Sequence, residues 1–268
     1  MELFSISSSS KGNCILLDNK ETTLMIDVGI SRKRVVEGVE HFGKNPEDLD
    51  GILITHEHSD HIKGLGVFLR KYHIPVYATE DTIDYILNKS SIGEVDKELF
   101  FPIEKNKSFY IKNTKISPLQ ISHDAVDPVC YRFDDDSVDN SSGAIVTDLG
   151  TYDGKLVNGL QELDSILVES NHDVRMLQMG PYPFRLKQRI WGTKGHLSNE
   201  ACGDFLNKII NKRMKHIILG HLSGENNYPE LAFQAVKNEL NFAKAVEDVN
   251  QIDLKVASRY EPSCNIKF

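Results

Sequence analysis

Thr55-His56-Glu57-His58-Ser59-Asp60-His61 packs four side chains able to ligate a metal, His56, His58, Asp60 and His61, into six residues. Imidazole and carboxylate donors together suit borderline divalent ions such as zinc, manganese or iron. The apolar run Gly51-Ile52-Leu53-Ile54 precedes the cluster. A helical pattern follows over residues 61–71, with Ile62, Leu65, Phe68 and Leu69 at helical spacing. The ligands therefore fall on a loop at a strand end, where a rigid scaffold can aim them. Four donors this close do not wrap one tetrahedral ion comfortably, so the spacing predicts two ions side by side. A plain solvated loop would not concentrate three histidines so tightly.

Outward from this cluster the chain alternates short apolar runs with turns. Residues 3–6, 14–18 and 24–27 read as strands, separated by Ser7-Ser8-Ser9-Ser10-Lys11-Gly12-Asn13 and a polar turn at 19–21. Residues 76–78 read as a strand and 81–87 as a short helix. Further strands are expected at 109–111, 115–121, 129–133, 144–147, 166–169 and 216–219, with 254–257 closing the series. The acidic stretch 134–140 reads as a hairpin connection. Ser198 or Asn199 can cap a helix carrying Ala201, Phe205, Leu206, Ile209 and Ile210. Pro229 suits the first turn of a helix running to about Val246. Strand clusters followed by helices, twice over, predict an α/β fold of two packed sheets with helices outside.

Composition narrows the class. The 268 residues are ample for a core, and no apolar stretch approaches the roughly 20 residues needed to span a bilayer. The N-terminal residues do not read as a secretory signal. Cys14, Cys130, Cys202 and Cys264 are scattered and read as small buried hydrophobes in a reducing compartment. A cytoplasmic protein is the expectation. The formal charge of −8 argues against a globally basic nucleic-acid binder. A local patch exists, however: from Asn171 to His196, five basic residues (Arg175, Arg185, Lys187, Arg189 and Lys194) stand against the single acid Asp173.

The remaining histidines and one aspartate recur just past the ends of apolar runs. His123 follows 115–121, Asp148 follows 144–147, His172 follows 166–169 and His221 follows 216–219. Any one alone reads best as a satisfied surface or core group. Jointly they read as one rim.

Asp27, then His56-x-His58-x-Asp60-His61, then His123, Asp148 and His221, resemble in type and order the metallo-β-lactamase superfamily, over nearly the whole chain. The resemblance implies a four-layer αβ/βα sandwich, as one domain across residues 1–268. It implies that His56, His58 and His123 hold one divalent ion, that Asp60, His61 and His221 hold a second, and that Asp148 bridges them. Asp27 would buttress the site.

The interval from Asp148 to His221 leaves no room for a large inserted domain. Gly195-His196-Leu197-Ser198, followed by a helix, a strand and His221-Leu222-Ser223, resembles the ending of transfer-RNA 3′-processing members. Glu169-Ser170-Asn171-His172-Asp173, Leu186-Lys187-Gln188-Arg189-Ile190 and Ser122-His123-Asp124 resemble the WalJ (YycJ) group of bacterial DNA exonucleases. The implied function is a dinuclear zinc or manganese phosphodiesterase, a 5′ to 3′ exonuclease on double-stranded DNA with a 5′-phosphate. A metal-bridging hydroxide would be its nucleophile. Asp60, His196 and His172 are then the expected catalytic side chains, with either histidine as proton donor. Ser8, Ser9, Lys11 and Asn13 would receive a terminal phosphate, and Arg185, Lys187 and Arg189 would track the strand.

The same centre suits a small ester, thioester or lactone hydrolase, or an RNA-processing nuclease, and the motif does not separate these. Di-iron electron carriers of the superfamily have glutamate where His58 stands. A metal-dead binding module would have lost a ligand, and none is missing here.

Overall fold

A computed structural model describes residues 1–135, 140–242 and 251–268. Fourteen strands are found among them: β1 (Glu2–Ser7), β2 (Cys14–Asp18), β3 (Thr23–Ile26), β4 (Gly51–Leu53), β5 (Val76–Thr79), β6 (Phe100–Ile103), β7 (Phe109–Ile111), β8 (Thr114–Gln120), β9 (Val129–Asp135), β10 (Ser142–Val146), β11 (Ser165–Glu169), β12 (His216–Gly220), β13 (Asp253–Val256) and β14 (Ser263–Lys267). They form two sheets of seven, ordered β14-β1-β2-β3-β4-β5-β6 and β13-β12-β11-β10-β9-β8-β7. Each sheet is antiparallel at one end and parallel at the other. Pairing switches at β3 in the first sheet and at β10 in the second.

Strand alternation builds the layers. Ile15 and Leu17 of β2, Leu24 and Ile26 of β3, Leu167 of β11 and Ile218 of β12 point into a cluster shared by both sheets. Their neighbours Leu16, Met25, Val168 and Leu219 point the other way, into helices. The central parallel strands β4, β11 and β12 are buried almost throughout, which is why their sequences are nearly continuously apolar. Helices α1 (Arg32–His41), α2 (Ser59–Ile62), α3 (Leu65–Tyr72) and α4 (Glu80–Asn88) lie on the first-sheet half of the chain. Helices α5 (Gly154–Gly159), α6 (Val174–Met179), α7 (Phe184–Trp191), α8 (Asn199–Ile209) and α9 (Pro229–Leu240) lie on the second-sheet half. The order is helix, sheet, sheet, helix. Ser198 caps α8 by accepting the Ala201 N–H at 3.1 Å. Among the described residues no helix is long and apolar enough to cross a membrane.

Several expectations change. The helix expected over 61–71 is two helices, α2 and α3, broken at Gly64. There the backbone turns to give its N–H to the Val28 carbonyl at 2.9 Å. Residues 254–257 do not close the series, because β14 returns to pair with β1 in the other sheet. Helices α1, α5, α6 and α7 were not expected: α1, α5 and α6 are short or polar, and most of α7 faces solvent. Strands β9 and β10 form the expected antiparallel pair, but residues 136–139 of the acidic connection lie outside the described residues. So does the stretch reaching Val246, beyond the end of α9 at Leu240.

Candidate metal centre

The carboxyl ends of the parallel strands meet at one edge between the sheets. Asp27 follows β3, the His56–His61 loop follows β4, Asp148 follows β10, β11 ends on Glu169, and His221 follows β12. Asp27, Asp148 and His221 all hold left-handed backbones, with φ of 61°, 60° and 54°. Such a conformation is disfavoured outside glycine and persists where surrounding contacts enforce it.

All seven expected ligands come together. His56, His58 and His123 form one group of donors lying within 4.8 Å of one another, and Asp60, His61 and His221 form another; His56, His61 and Asp148 form a third. His61 Nε2 lies 3.4 Å from Asp60 Oδ2 and 3.1 Å from Asp148 Oδ2. His221 Nε2 lies 3.4 Å from Asp60 Oδ2 and 3.5 Å from Asp148 Oδ1. Asp148 Oδ1 is also 3.6 Å from His123 Nε2, so this carboxylate spans the two ligand groups.

Buried nitrogens test whether cations fit this set. His56 Nε2 is buried without a hydrogen-bond partner. Burial pushes the His56 pKa well below the ordinary imidazole range, which leaves a neutral ring with a lone pair to give. His58 Nδ1 and His123 Nε2 face each other at 3.2 Å, where at most one can carry the proton between them. Lone pairs converging around buried carboxylates match a pair of divalent cations.

Two buried carboxylates hold the imidazoles from behind. On the first-sheet side Asp27 accepts the His61 Nδ1–H at 2.7 Å and the Thr55 N–H at 2.9 Å. Thr55 Oγ1 adds contacts to Asp27 and to His56 Nδ1. On the second-sheet side Glu169 accepts Nδ1–H from His221 at 2.7 Å and from His196 at 2.8 Å. It also accepts the Leu149 and Leu197 N–H groups at 3.1 and 2.9 Å. Burial would raise the Glu169 pKa, but the two imidazoles hold it down at about 2. Partners of this kind fix a ligand's tautomer and orientation. Glu169, Thr55 and Asn171, whose side chain donates to the His221 carbonyl at 3.0 Å, were not expected from sequence. Glu169 ends an apolar strand, so the regularity that pointed to the other polar groups pointed to it too.

The two proton-donor candidates separate. The His196 ring lies 5.2 Å from that of His123 and 5.4 Å from that of His221, beside the ligands. Burial works against its charged form, yet the adjoining Glu169 carboxylate lifts its pKa above the ordinary value. His172 is 1% exposed, and neither ring nitrogen has a hydrogen-bond partner. Burial pushes its pKa down to about 4, and it joins none of the ligand groups.

Of the residues expected to bind substrate, the loop members mostly brace the site. Ser8 is buried, and its Oγ accepts the His221 N–H at 2.9 Å. Ser9 Oγ accepts the Lys11 N–H at 3.2 Å. Asn13 reaches His61 Nε2 at 3.1 Å. Lys11 is exposed. On α7, Arg185 is exposed, Lys187 Nζ donates to the Gln178 carbonyl at 2.7 Å, and Arg189 pairs with Asp124, the neighbour of His123. A cavity of about 700 Å³ opens beside His123, with Ser122, Val126, Tyr152, Lys155 and Lys194 in its walls.

Comparison with known proteins agrees with this geometry. The sequence profile of the metallo-beta-lactamase superfamily matches residues 10–138. Exodeoxyribonuclease WalJ of Streptococcus pneumoniae serotype 2 is 40% identical over 235 residues, covering 88% of this chain and 86% of that protein. Exodeoxyribonuclease YycJ of Bacillus anthracis is 37% identical, covering 88% of this chain and 87% of its own length. The crystal structure of the metallo-beta-lactamase fold protein YhfI from Bacillus subtilis superposes with a TM-score of 0.70 at 12% identity, over 98% of both chains.

Proposed function

Because the chain belongs to the metallo-beta-lactamase superfamily, we propose that it is a dinuclear-metal phosphodiesterase that acts on DNA as an exonuclease. The observation that carries the chemistry is the convergence of His56, His58, Asp60, His61, His123 and His221 around the Asp148 carboxylate. The names of the WalJ and YycJ relatives supply the substrate class. We take zinc or manganese as the ions, cytoplasm as the compartment, and one hydrolase domain across residues 1–268.

Two such ions would neutralise charge on the phosphodiester oxygens and acidify a water for attack on phosphorus. This chain's own side chains orient and protonate. Glu169 fixes His196 by its Nδ1–H, which leaves Nε2 as the position that gives a proton to the departing oxygen. His172, neutral and enclosed, does not fit that task. Asp60, exposed at 21% of its side chain, lies where the ligand cluster opens outward. The cavity beside His123 falls within the size range of small-ligand pockets and would take the terminal nucleotide. Lys11, at the exposed tip of the Ser7–Asn13 turn that carries Ser8 and Ser9, is the cation for a 5′-phosphate. Arg185 and Arg189, exposed on α7, are the cations we assign to the strand's backbone. We take double-stranded DNA with a 5′-phosphate, degraded 5′ to 3′, as the substrate.

The test is incubation of the protein with 5′-phosphorylated double-stranded DNA in zinc and in manganese. Mononucleotide release is expected, falling to background in His58→Ala and Asp60→Ala. Absence of release, together with turnover of thioesters or lactones, would move the centre to small-molecule hydrolysis.

A further inference from the structure

Helix α7, Phe184-Arg185-Leu186-Lys187-Gln188-Arg189-Ile190-Trp191, stands apart from the layered body of the protein. Ile190 is its one buried residue among those described, and neither Ile190 nor Leu177 of α6 belongs to the three core clusters. At 100° per residue, Leu186 and Ile190 share the inward side. Phe184, Gln188 and Trp191 then share the outward side. Phe184 is 69% exposed and Trp191 41%, while Met179 at the end of α6 is 88% exposed. Single exposed apolar residues are ordinary; two large rings on one stripe of a short helix ask for a partner.

The surroundings say which partner. Arg185 borders the stripe and is exposed, and the α6–α7 segment is locally basic in a chain whose net charge is −8. An acidic polymer with flat apolar faces matches a cationic, aromatic surface, because bases stack on rings while phosphates meet the arginines. Phe184 and Trp191 are seven residues apart, about 10.5 Å of helix rise, so the two rings can meet different bases of one strand. The helix is also tied to the metal rim. Arg189 pairs with Asp124 beside His123, the His196 N–H donates to the Ile190 carbonyl at 3.0 Å, and the Asp124 N–H donates to the Lys194 carbonyl at 3.1 Å.

We propose that the outer face of α7, Phe184 and Trp191 with Arg185, is a base-stacking platform that holds unpaired DNA leading away from the metal centre. This rests on the nuclease reading and deepens it: the end of a duplex is gripped as a separated strand. Duplex bases stacked within the helix do not offer their faces to Phe184 and Trp191; unpaired ones do.

Trp191 is the one tryptophan of the chain, so its fluorescence reports the platform directly. The experiment titrates the metal-loaded protein with a short 5′-phosphorylated single-stranded oligodeoxynucleotide whose phosphorothioate linkages resist cleavage, and with the blunt duplex of the same sequence. Saturable quenching by the single strand is expected, weaker for the duplex and shrinking with salt. Phe184→Ala should weaken single-strand binding about fivefold or more, and Phe184→Tyr should restore it. Unquenched Trp191 at an oligonucleotide concentration where fluorescence anisotropy reports saturation would overturn the proposal. So would a Trp191 signal that changes with protein concentration alone, which would make α7 a contact between copies. The two failures are distinguishable: cleavage of ordinary DNA with unquenched Trp191 strikes the platform alone, whereas quenching without cleavage strikes the reaction.

Discussion

Glu169 concentrates more of the site's order than any ligand. It is fully buried, and it holds His221, His196 and the backbone of Leu149 and Leu197 in one set of bonds. Glu169→Gln keeps the shape but turns one acceptor oxygen into a donor, which then faces either the two imidazole N–H groups or the Leu149 and Leu197 N–H groups. Breaking a buried charged pair costs about 3–5 kcal/mol, and losing such a partner costs about 10–100-fold in metal affinity or activity. We expect both in Glu169→Gln, read from denaturant midpoints and from the rate of DNA hydrolysis. Wild-type values for both would remove Glu169 from its role. His172 makes a second expectation through its protons. Its pKa is about 4 in the folded protein against an ordinary 6.5. The unfolded chain therefore binds a proton between those values while the folded chain does not. The resulting stability is fully present above pH 6.5 and falls as pH drops toward 4, by about 3 kcal/mol in total. His172→Gln should flatten the stability-against-pH curve across that window; an unchanged slope would show that His172 is not what titrates.

Strand ends explain both what the sequence made legible and what it did not. Buried parallel strands print as apolar runs, so β4, β11 and β12 and the polar residues after them could be read directly. That is why the polar groups after them stood out as candidates, His123 after the antiparallel β8 among them, while their division into ligands came from the family resemblance. Helices α1 and α7 lack a broad apolar stripe, and β14 belongs to a sheet whose other strands lie at the far end of the chain. Pairing across that separation leaves no local trace. The direction of a side chain is also invisible: Ser8 and Asn13 lie in a polar turn, yet one bonds His221 and the other His61. Close approach of three loops is the least legible feature, and Gly29 marks it. A methyl group there would stand 1.6 Å from the Asp60 carbonyl oxygen and 2.7 Å from the Asn13 nitrogen, so the loop bearing Asp60 would have to move. Gly29→Ala should lower metal affinity by roughly 10–100-fold, by analogy with other displaced supports. Gly154→Ala, with nothing within 4 Å of the added methyl, is the control. Isothermal titration with zinc of both variants decides the matter, and equal affinities would refute the packing argument.

Across the whole molecule the ligands divide by sheet. His56, His58, Asp60 and His61 follow a strand of the first sheet, while His123, Asp148 and His221 follow strands of the second. The two halves already share a common core, built from residues such as Leu24 and Ile26 on one side and Leu167 and Ile218 on the other. At the rim, however, they meet through polar groups. There the centre gathers carboxylates and imidazoles, and burial works against the charge on Asp148 and on His56 alike. Cations that bind the folded arrangement and not the unfolded chain stabilise it by mass action, about 4 kcal/mol at a thousand times the dissociation constant. For a chain of this size that corresponds to a rise in Tm of roughly 8–16 °C. Chelator treatment should therefore lower Tm, and restoring zinc or manganese should raise it again. Asp148→Asn tests the cross-link itself, because Asp148 touches ligands from both sheets. Its metal-dependent rise should be a small fraction of the wild-type rise. A full rise in Asp148→Asn would mean that the ions are held within one half and do not join the two, and the dinuclear arrangement around Asp148 would have to be abandoned.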